Sequence, residues 1–369
     1  MNTWKKIGDF GQSLWYDNIG RSFMTSGGLA AMIQDLGLKG VTSNPAIFEK
    51  AISGGREYDE DIRSLIGAGT STKQIYEKLT TDDVRLAADI LHEVYITTGG
   101  EDGYVSIECD PTIAHNTDET IAEAQHLWKV VDRANVMIKI PGTLMGIPAI
   151  RRTIAEGINV NVTLLFGLEN YTNVARAYIQ GLEDRRKAGK DISGIRSVAS
   201  FFLSRVDSNV DKLLSTKGAE HQSLAGKAAN ANAKLAYERF NEIFHGAEFA
   251  KLREAGAQVQ RCLWASVSTK NPAYSDVLYI EPLIGPETVT TVPDDTLKAF
   301  GDHGVAANTL ASGLAEAHHV IDSLRAIGID TERVAEELQI EGVQKFEEAF
   351  AKLLGIVDAK RKQVAEAVA

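Results

Sequence analysis

The run NVMIKIPG, residues 135–142, sets one lysine, Lys139, inside an otherwise apolar stretch. Two readings compete for it. A strand-end lysine can lay its stem on apolar surface while the amine reaches water. Alternatively the amine points inward beside Met137 and Phe202, where desolvation favours the neutral form. A neutral amine is the nucleophile that attacks a ketone to give a Schiff base. Cleaving a carbon–carbon bond beside the resulting iminium needs a group that takes a hydroxyl proton and returns it. Asp17 and Glu108 are the candidate carboxylates. Dehydration of the carbinolamine needs a positioned water, which Glu108 near the Thr163 hydroxyl can hold. Taken singly, Asp17 reads equally well as an ion-pair partner or a helix cap.

Other polar residues suit binding. Asn44 precedes Pro45 and a helix-like run, so an N-cap competes with a substrate contact. Asn161 lies on an apolar strand, where an inward amide is costly unless it binds something. Arg205 and Lys270 lie just past strand ends and can clamp a phosphate. Surface ion pairing, for example Arg205 with Asp207, is the alternative.

These residues need elements to hold them. From about residue 13 to about residue 293, short apolar runs alternate with longer amphipathic stretches: SLWYDN, KGVTSNP, GYVSIECD, NVMIKIPG, INVNVTLLF, IRSVASFF, RCLWASVS and ETVTTVP. Such alternation predicts parallel βα units. Eight runs predict a closed (β/α)8 TIM barrel, with a doubly wound open sheet as the alternative. Side chains alternate between the two faces of a strand. Counting by two from the apolar face turns Asp17, Asn44, Ser106, Glu108, Asp110, Lys139, Asn161, Thr163, Ser200 and Phe202 inward. The catalytic face of a barrel lies at the C-terminal ends of its strands. The chain reads as one domain, 1–369, with a helical insertion at about 212–260 and a C-terminal helical segment at about 303–369. Asp330-Thr331-Glu332 is the expected start of its last helix.

Composition narrows the class. The chain has 369 residues, 44% hydrophobic and 24% charged, with 39 basic against 50 acidic residues and a net charge of −11. That excludes a basic nucleic-acid surface and requires a locally positive pocket for any anionic substrate. Cys109 and Cys262 form no CxxC pair, and no apolar run approaches the length of a membrane span. The opening residues lack the apolar core of a signal peptide, so a cytoplasmic location is expected. No motif calls for a nucleotide, cofactor or metal.

VTSNPAIF, VSIECDP, VMIKIPGT, NVNVTLLFG, SVASFFLSRVDS and WASVSTKNPAYSD are together similar to the successive signature stretches of the transaldolase family, in its longer bacterial branch. The resemblance implies a cofactor-free (β/α)8 barrel and a transferase of the pentose phosphate pathway. It would move a dihydroxyacetone unit from sedoheptulose 7-phosphate to glyceraldehyde 3-phosphate through a Schiff base on Lys139. Carried over motif by motif, Asp17 moves the C4 hydroxyl proton, and Glu108 and Thr163 hold the catalytic water. Asn44 and Asn161 bind the dihydroxyacetone hydroxyls, Ser200 and Phe202 line the pocket, and Arg205 binds phosphate. The second phosphate ligand lies among Ser268, Thr269 and Lys270, where many relatives place an arginine. Shorter relatives that act as fructose 6-phosphate aldolases carry glutamine and tyrosine in place of Glu108 and Phe202, which favours transfer here. A pyridoxal-phosphate enzyme using Lys139 and a non-catalytic sugar-phosphate-binding barrel are the competing readings. Sugar phosphates are the expected partners, and the sequence leaves room for a homo-oligomer.

Overall fold

The computed structural model describes residues 2–366; residue 1 and residues 367–369 of the expected C-terminal segment lie outside the described residues. Each of the eight apolar runs coincides with a strand to within a few residues at either end: β1 (Gln12–Tyr16), β2 (Gly40–Val41), β3 (Tyr104–Glu108), β4 (Val136–Pro141), β5 (Val160–Leu165), β6 (Ser197–Phe202), β7 (Gln260–Ala265) and β8 (Thr288–Val292). Every strand pairs in parallel with its sequence neighbours, and β8 returns to β1, so the sheet closes in chain order. Closure decides for the barrel over the open sheet. The strands are short and rich in Val, Ile and Thr, which suits segments buried on both faces.

Local chemistry sets the surrounding helices. Asn44 caps Pro45–Ser53, and Pro45 sits where the helix has no use for its missing N–H. Ser71 and Gln74 form a reciprocal capping box at the start of Thr72–Ile90. Asn116 caps Thr117–Val131. Between β6 and β7 the chain adds Ala228–Phe244 and Ala247–Glu254 to the first crossover helix, Leu203–Leu214. After β8 come Asp294–His303, an irregular stretch, Leu314–Ala326 and the long helix Thr331–Glu366. Asp330 accepts the Glu332 amide at 3.0 Å and so opens that last helix. None of the described helices is long and apolar enough to cross a membrane.

The barrel interior is layered. Trp15, Tyr104, Met137, Val198, Leu263 and Val289 form an apolar middle layer, separate from the larger core between sheet and helices. Below it, at the N-terminal end, Arg261 donates to Asp102 at 2.9 Å and Ser13 to Asp102 at 2.8 Å. Above it the inward positions become polar. The two-residue period carries this change directly: Trp15 leads to Asp17, Met137 to Lys139, Val198 to Ser200 and Val289 to Thr291.

β5 breaks that period once. Its register with β6 moves from Val162 opposite Ala199 to Leu165 opposite Phe201, so Thr163 and Leu164 together face Ser200. Leu164 takes a left-handed φ of 57°. A bulge of this kind re-aims side chains at a strand end. Leu164 turns to the long C-terminal helix, where a Cβ on Gly342 would meet it at 2.9 Å.

Candidate active site

Lys139 sits in β4, opposite Glu108 of β3 and Asn161 of β5. It is only 5% exposed. Its Nζ donates to the Ser43 carbonyl at 3.1 Å and lies 3.8 Å from Glu108 Oε2. The stem therefore does not lie on the surface, and the amine points into the barrel. Above it opens a cavity of about 420 Å³ at the C-terminal ends of the strands, walled by Asp17, Asn44, Ser200, Phe202 and Arg205 among others.

Asp17 follows β1 by one residue and shares this cavity. Thr42 Oγ1 donates to Asp17 Oδ1 at 2.7 Å and lies 2.6 Å from Thr291 Oγ1. A hydroxyl has one proton, so Thr291 is then the donor to Thr42. Burial raises the Asp17 carboxyl above its ordinary value, with Lys139 and the Thr42 hydrogen bond pulling the other way. That favours a group able to take up and release a proton.

Glu108, Asn161 and Thr163 stand behind Lys139 rather than on the cavity wall. Burial pushes the Glu108 carboxyl up to about 7, against Lys139 and with Asp17. Neither Glu108 oxygen nor Thr163 Oγ1 has a hydrogen-bond partner among the described residues. Buried polar atoms are nearly always paired, with protein or with water, so this trio marks a place that suits an ordered water. Asn161, fully buried, donates from Nδ2 to Ser106 at 2.9 Å and accepts from Ser200 at 2.7 Å. This belt fixes the amide orientation and leaves one N–H of Asn161 uncommitted. Asn44 uses its side-chain oxygen to cap Ile47 at 3.0 Å, and its place on the cavity wall adds a second role to the cap.

Cations gather at the outer rim. Arg205 stacks over the Phe202 ring at 5.3 Å and makes no ion pair among the described residues. Asp207 instead accepts from the Ala229 amide and from Tyr279. Burial lowers the Arg205 pKa below its ordinary value, with Glu341 opposing. A partly desolvated guanidinium without a partner suits an anion. Ser268 and Lys270 share the same wall, whereas Thr269 turns away to donate to the Ser275 carbonyl at 2.8 Å.

One inward expectation fails. Asp110 accepts from Lys73 at 2.6 Å and caps Thr112, outside the barrel. β3 ends at Glu108, so the two-residue period no longer governs Asp110. Other wall residues escaped the sequence reading. Thr291 was accessible by extending the same alternation to β8. Lys50 was accessible by helix spacing, because Ala46 and Lys50 lie four apart on one helix and both line the cavity. Phe346 had no local signal: it reaches the wall from the C-terminal helix and packs on Phe202 at 6.4 Å.

Residues 14–357 match the family model for transaldolase/fructose-6-phosphate aldolase. A transaldolase 2 from Nostoc sp. is 49% identical over 374 residues, spanning 98% of each chain. The transaldolase of Trichodesmium erythraeum is 48% identical over 97% of both chains. Transaldolase 1 of Streptomyces avermitilis is 49% identical over 96% of this chain and 94% of its own.

Proposed function

The chain belongs to the transaldolase/fructose-6-phosphate aldolase family and is a transferase, and we propose that it moves a dihydroxyacetone unit through a Schiff base on Lys139. The donor is sedoheptulose 7-phosphate and the acceptor glyceraldehyde 3-phosphate, giving erythrose 4-phosphate and fructose 6-phosphate. The observation that carries this reading is a buried lysine at the floor of a polar cavity, with a carboxylate on the wall and rim cations that make no ion pair among the described residues.

Lys139 Nζ adds to the C2 carbonyl, and loss of water from the carbinolamine leaves an iminium. Asp17 takes the C4 hydroxyl proton as the C3–C4 bond breaks, its electrons flowing into the iminium to give an enamine. The aldose phosphate departs. The enamine then adds to the acceptor aldehyde, whose new hydroxyl receives the proton back from Asp17. Glu108 and Thr163 hold the water that leaves and later returns to hydrolyse the product iminium. Asn44 and the free N–H of Asn161 bind the hydroxyls of the three-carbon unit. Arg205, with Ser268 and Lys270, binds the phosphate, Lys270 as a point charge without the bidentate fork of arginine.

The test is borohydride reduction with fructose 6-phosphate, followed by peptide mass spectrometry. A three-carbon adduct on the peptide holding Lys139, absent from Lys139→Ala, is the expected result. Folded protein that binds the sugar phosphate yet yields no adduct would replace this reading with that of a binding protein.

A further inference from the structure

Glu108 has a second side. Away from the mouth, a narrow cavity of about 10 Å³ runs between β3 and the helices Thr72–Ile90 and Thr117–Val131, bordered by Glu108, Tyr76, Glu123 and Phe350. That volume suits about one water molecule. Glu108 is 7% exposed, borders this cavity, and has no hydrogen-bond partner on either oxygen among the described residues. Glu123, from the helix Thr117–Val131, is half-buried and lines the same space. The outer lining is surface-accessible: Lys73 is 55% exposed in its ion pair with Asp110, and Glu77 is 29% exposed in its pair with His126.

From this geometry we infer that Glu123 relays protons between Glu108 and solvent through the side of the barrel. The inference rests on the proposed place of Glu108 beside the water of dehydration and hydrolysis, and extends it by making Glu108 the acid and base of those two steps. In dehydration the carbinolamine C–O bond breaks, its oxygen takes the Glu108 proton and leaves as water, and the nitrogen lone pair forms the iminium. Glu108, now a carboxylate, recovers a proton from Glu123 through the passage water, and Glu123 recovers one from solvent. Hydrolysis runs the same transfers in reverse. A bound sugar phosphate fills the mouth, so a separate lateral route lets protons balance without opening it.

The charged and titratable groups around the pair are consistent with this role. Lys139 and Asp17 face Glu108 from inside the barrel; Lys73, Tyr76 and Glu77 line the passage from one helix and Glu123 from the other, with His126 paired to Glu77 beyond that lining. Cys109 and Asp110 follow β3, and Asp110 also lines the passage. Burial raises the Glu123 carboxyl above its ordinary value, with Glu77 and Asp110 adding to it and Lys73 and His126 opposing.

The experiment uses the full chain and fructose 6-phosphate in oxygen-18 water, and reads label entering the C2 carbonyl, which reports dehydration and rehydration without needing carbon–carbon cleavage. Glu123→Gln should slow this exchange by about tenfold, a fraction of what general acid–base catalysis supplies. Its KM should stay unchanged and its solvent deuterium isotope effect should rise, because proton return becomes limiting. Glu123→Asp should recover most of the rate. Parent-like exchange with an unchanged isotope effect in Glu123→Gln would overturn the relay, as would a slow Glu123→Asp with an unchanged isotope effect. Borohydride trapping in the same samples separates the two claims: a normal Lys139 adduct with parent-like exchange sinks the relay alone, and no adduct even in the parent sinks the Schiff-base reading.

Discussion

At the scale of single residues, Glu108 and Arg205 are held in states that need explaining, and both give measurable consequences. The Glu108 carboxyl is pushed by burial from 4.5 to about 7. A carboxyl whose folded pKa is raised binds its proton more tightly in the native state than in the unfolded one. Stability is therefore full below the unfolded pKa and is lost as pH rises through the folded value. The window runs from about 4.5 to about 7. Glu108→Gln removes this titration, so its stability relative to the parent should climb across that window by up to about 3 kcal/mol. Denaturant melts at several pH values measure it, and a flat difference would mean Glu108 is not buried as a carboxyl. Arg205 makes a separate prediction. Arg205→Ala should raise the KM for phosphorylated donors by about 10² or more, the scale of a lost charge-assisted hydrogen-bond pair. Binding of unphosphorylated dihydroxyacetone should change little; equal losses for both ligands would remove Arg205 from the phosphate site.

At the scale of elements, legibility followed strand continuity. Lys139, Asn161 and Ser200 lie within strands whose apolar neighbours announce the inward face, so the two-residue period found them. It misplaced Asp110 because β3 stops two residues earlier. It had nothing to say of Phe346, since the path of the C-terminal helix across the mouth is set by contacts far away in sequence. Gln339 on that helix donates to the carbonyls of Gly142 at 3.0 Å and Leu164 at 3.1 Å, at the ends of β4 and β5. Glu332 accepts the Leu168 amide at 2.9 Å and so caps a helix that begins 164 residues earlier. The bulge in β5 was equally invisible, because Leu164 is not a residue that advertises a left-handed φ. The reason for a glycine in β2 is clear only from the packing. A Cβ on Gly40 would stand 2.5 Å from the Trp15 ring. Trp15 fills the apolar layer under Asp17, so Gly40→Ala should cost about 1–3 kcal/mol by overpacking and lower turnover by shifting β1. Adding Trp15→Phe should recover part of both. Thermal melts and kcat of the single and double variants check this; a neutral Gly40→Ala would show that the layer yields more easily than its packing suggests.

At the scale of the whole molecule, the barrel separates two polar ends by an apolar layer and gives them different work. Among the described residues, the C-terminal end leaves Glu108 without a hydrogen bond, with Lys139 3.8 Å away, and Arg205 without an ion pair. The N-terminal end does the opposite. Burial alone would raise the Asp102 carboxyl, but Arg261 and Lys39, with the Ser13 hydrogen bond, hold it below its ordinary value of 3.8. Asp102 is 1% exposed and Arg261 7%. A depressed carboxyl contributes stability that is present above its unfolded pKa and lost as pH falls through the folded one. The two ends thus pull in opposite directions with pH, and their sum favours a stability maximum between the acid loss at Asp102 and the neutral-range loss at Glu108. Removing one partner of a buried ion pair leaves the other charge unpaired at a cost of about 3–5 kcal/mol. Asp102→Ala should therefore destabilise the fold by about that amount at neutral pH, and by less toward acid, where the parent has begun to lose the contribution. The same variant should leave KM and kcat of the folded fraction unchanged, because the apolar layer of Trp15, Met137, Val198 and Leu263 stands between Asp102 and the site. Melts paired with kinetics below the melting temperature test both halves. A loss of kcat in fully folded Asp102→Ala would mean that the apolar layer transmits strain from one end of the barrel to the other, and that the two ends are not independent.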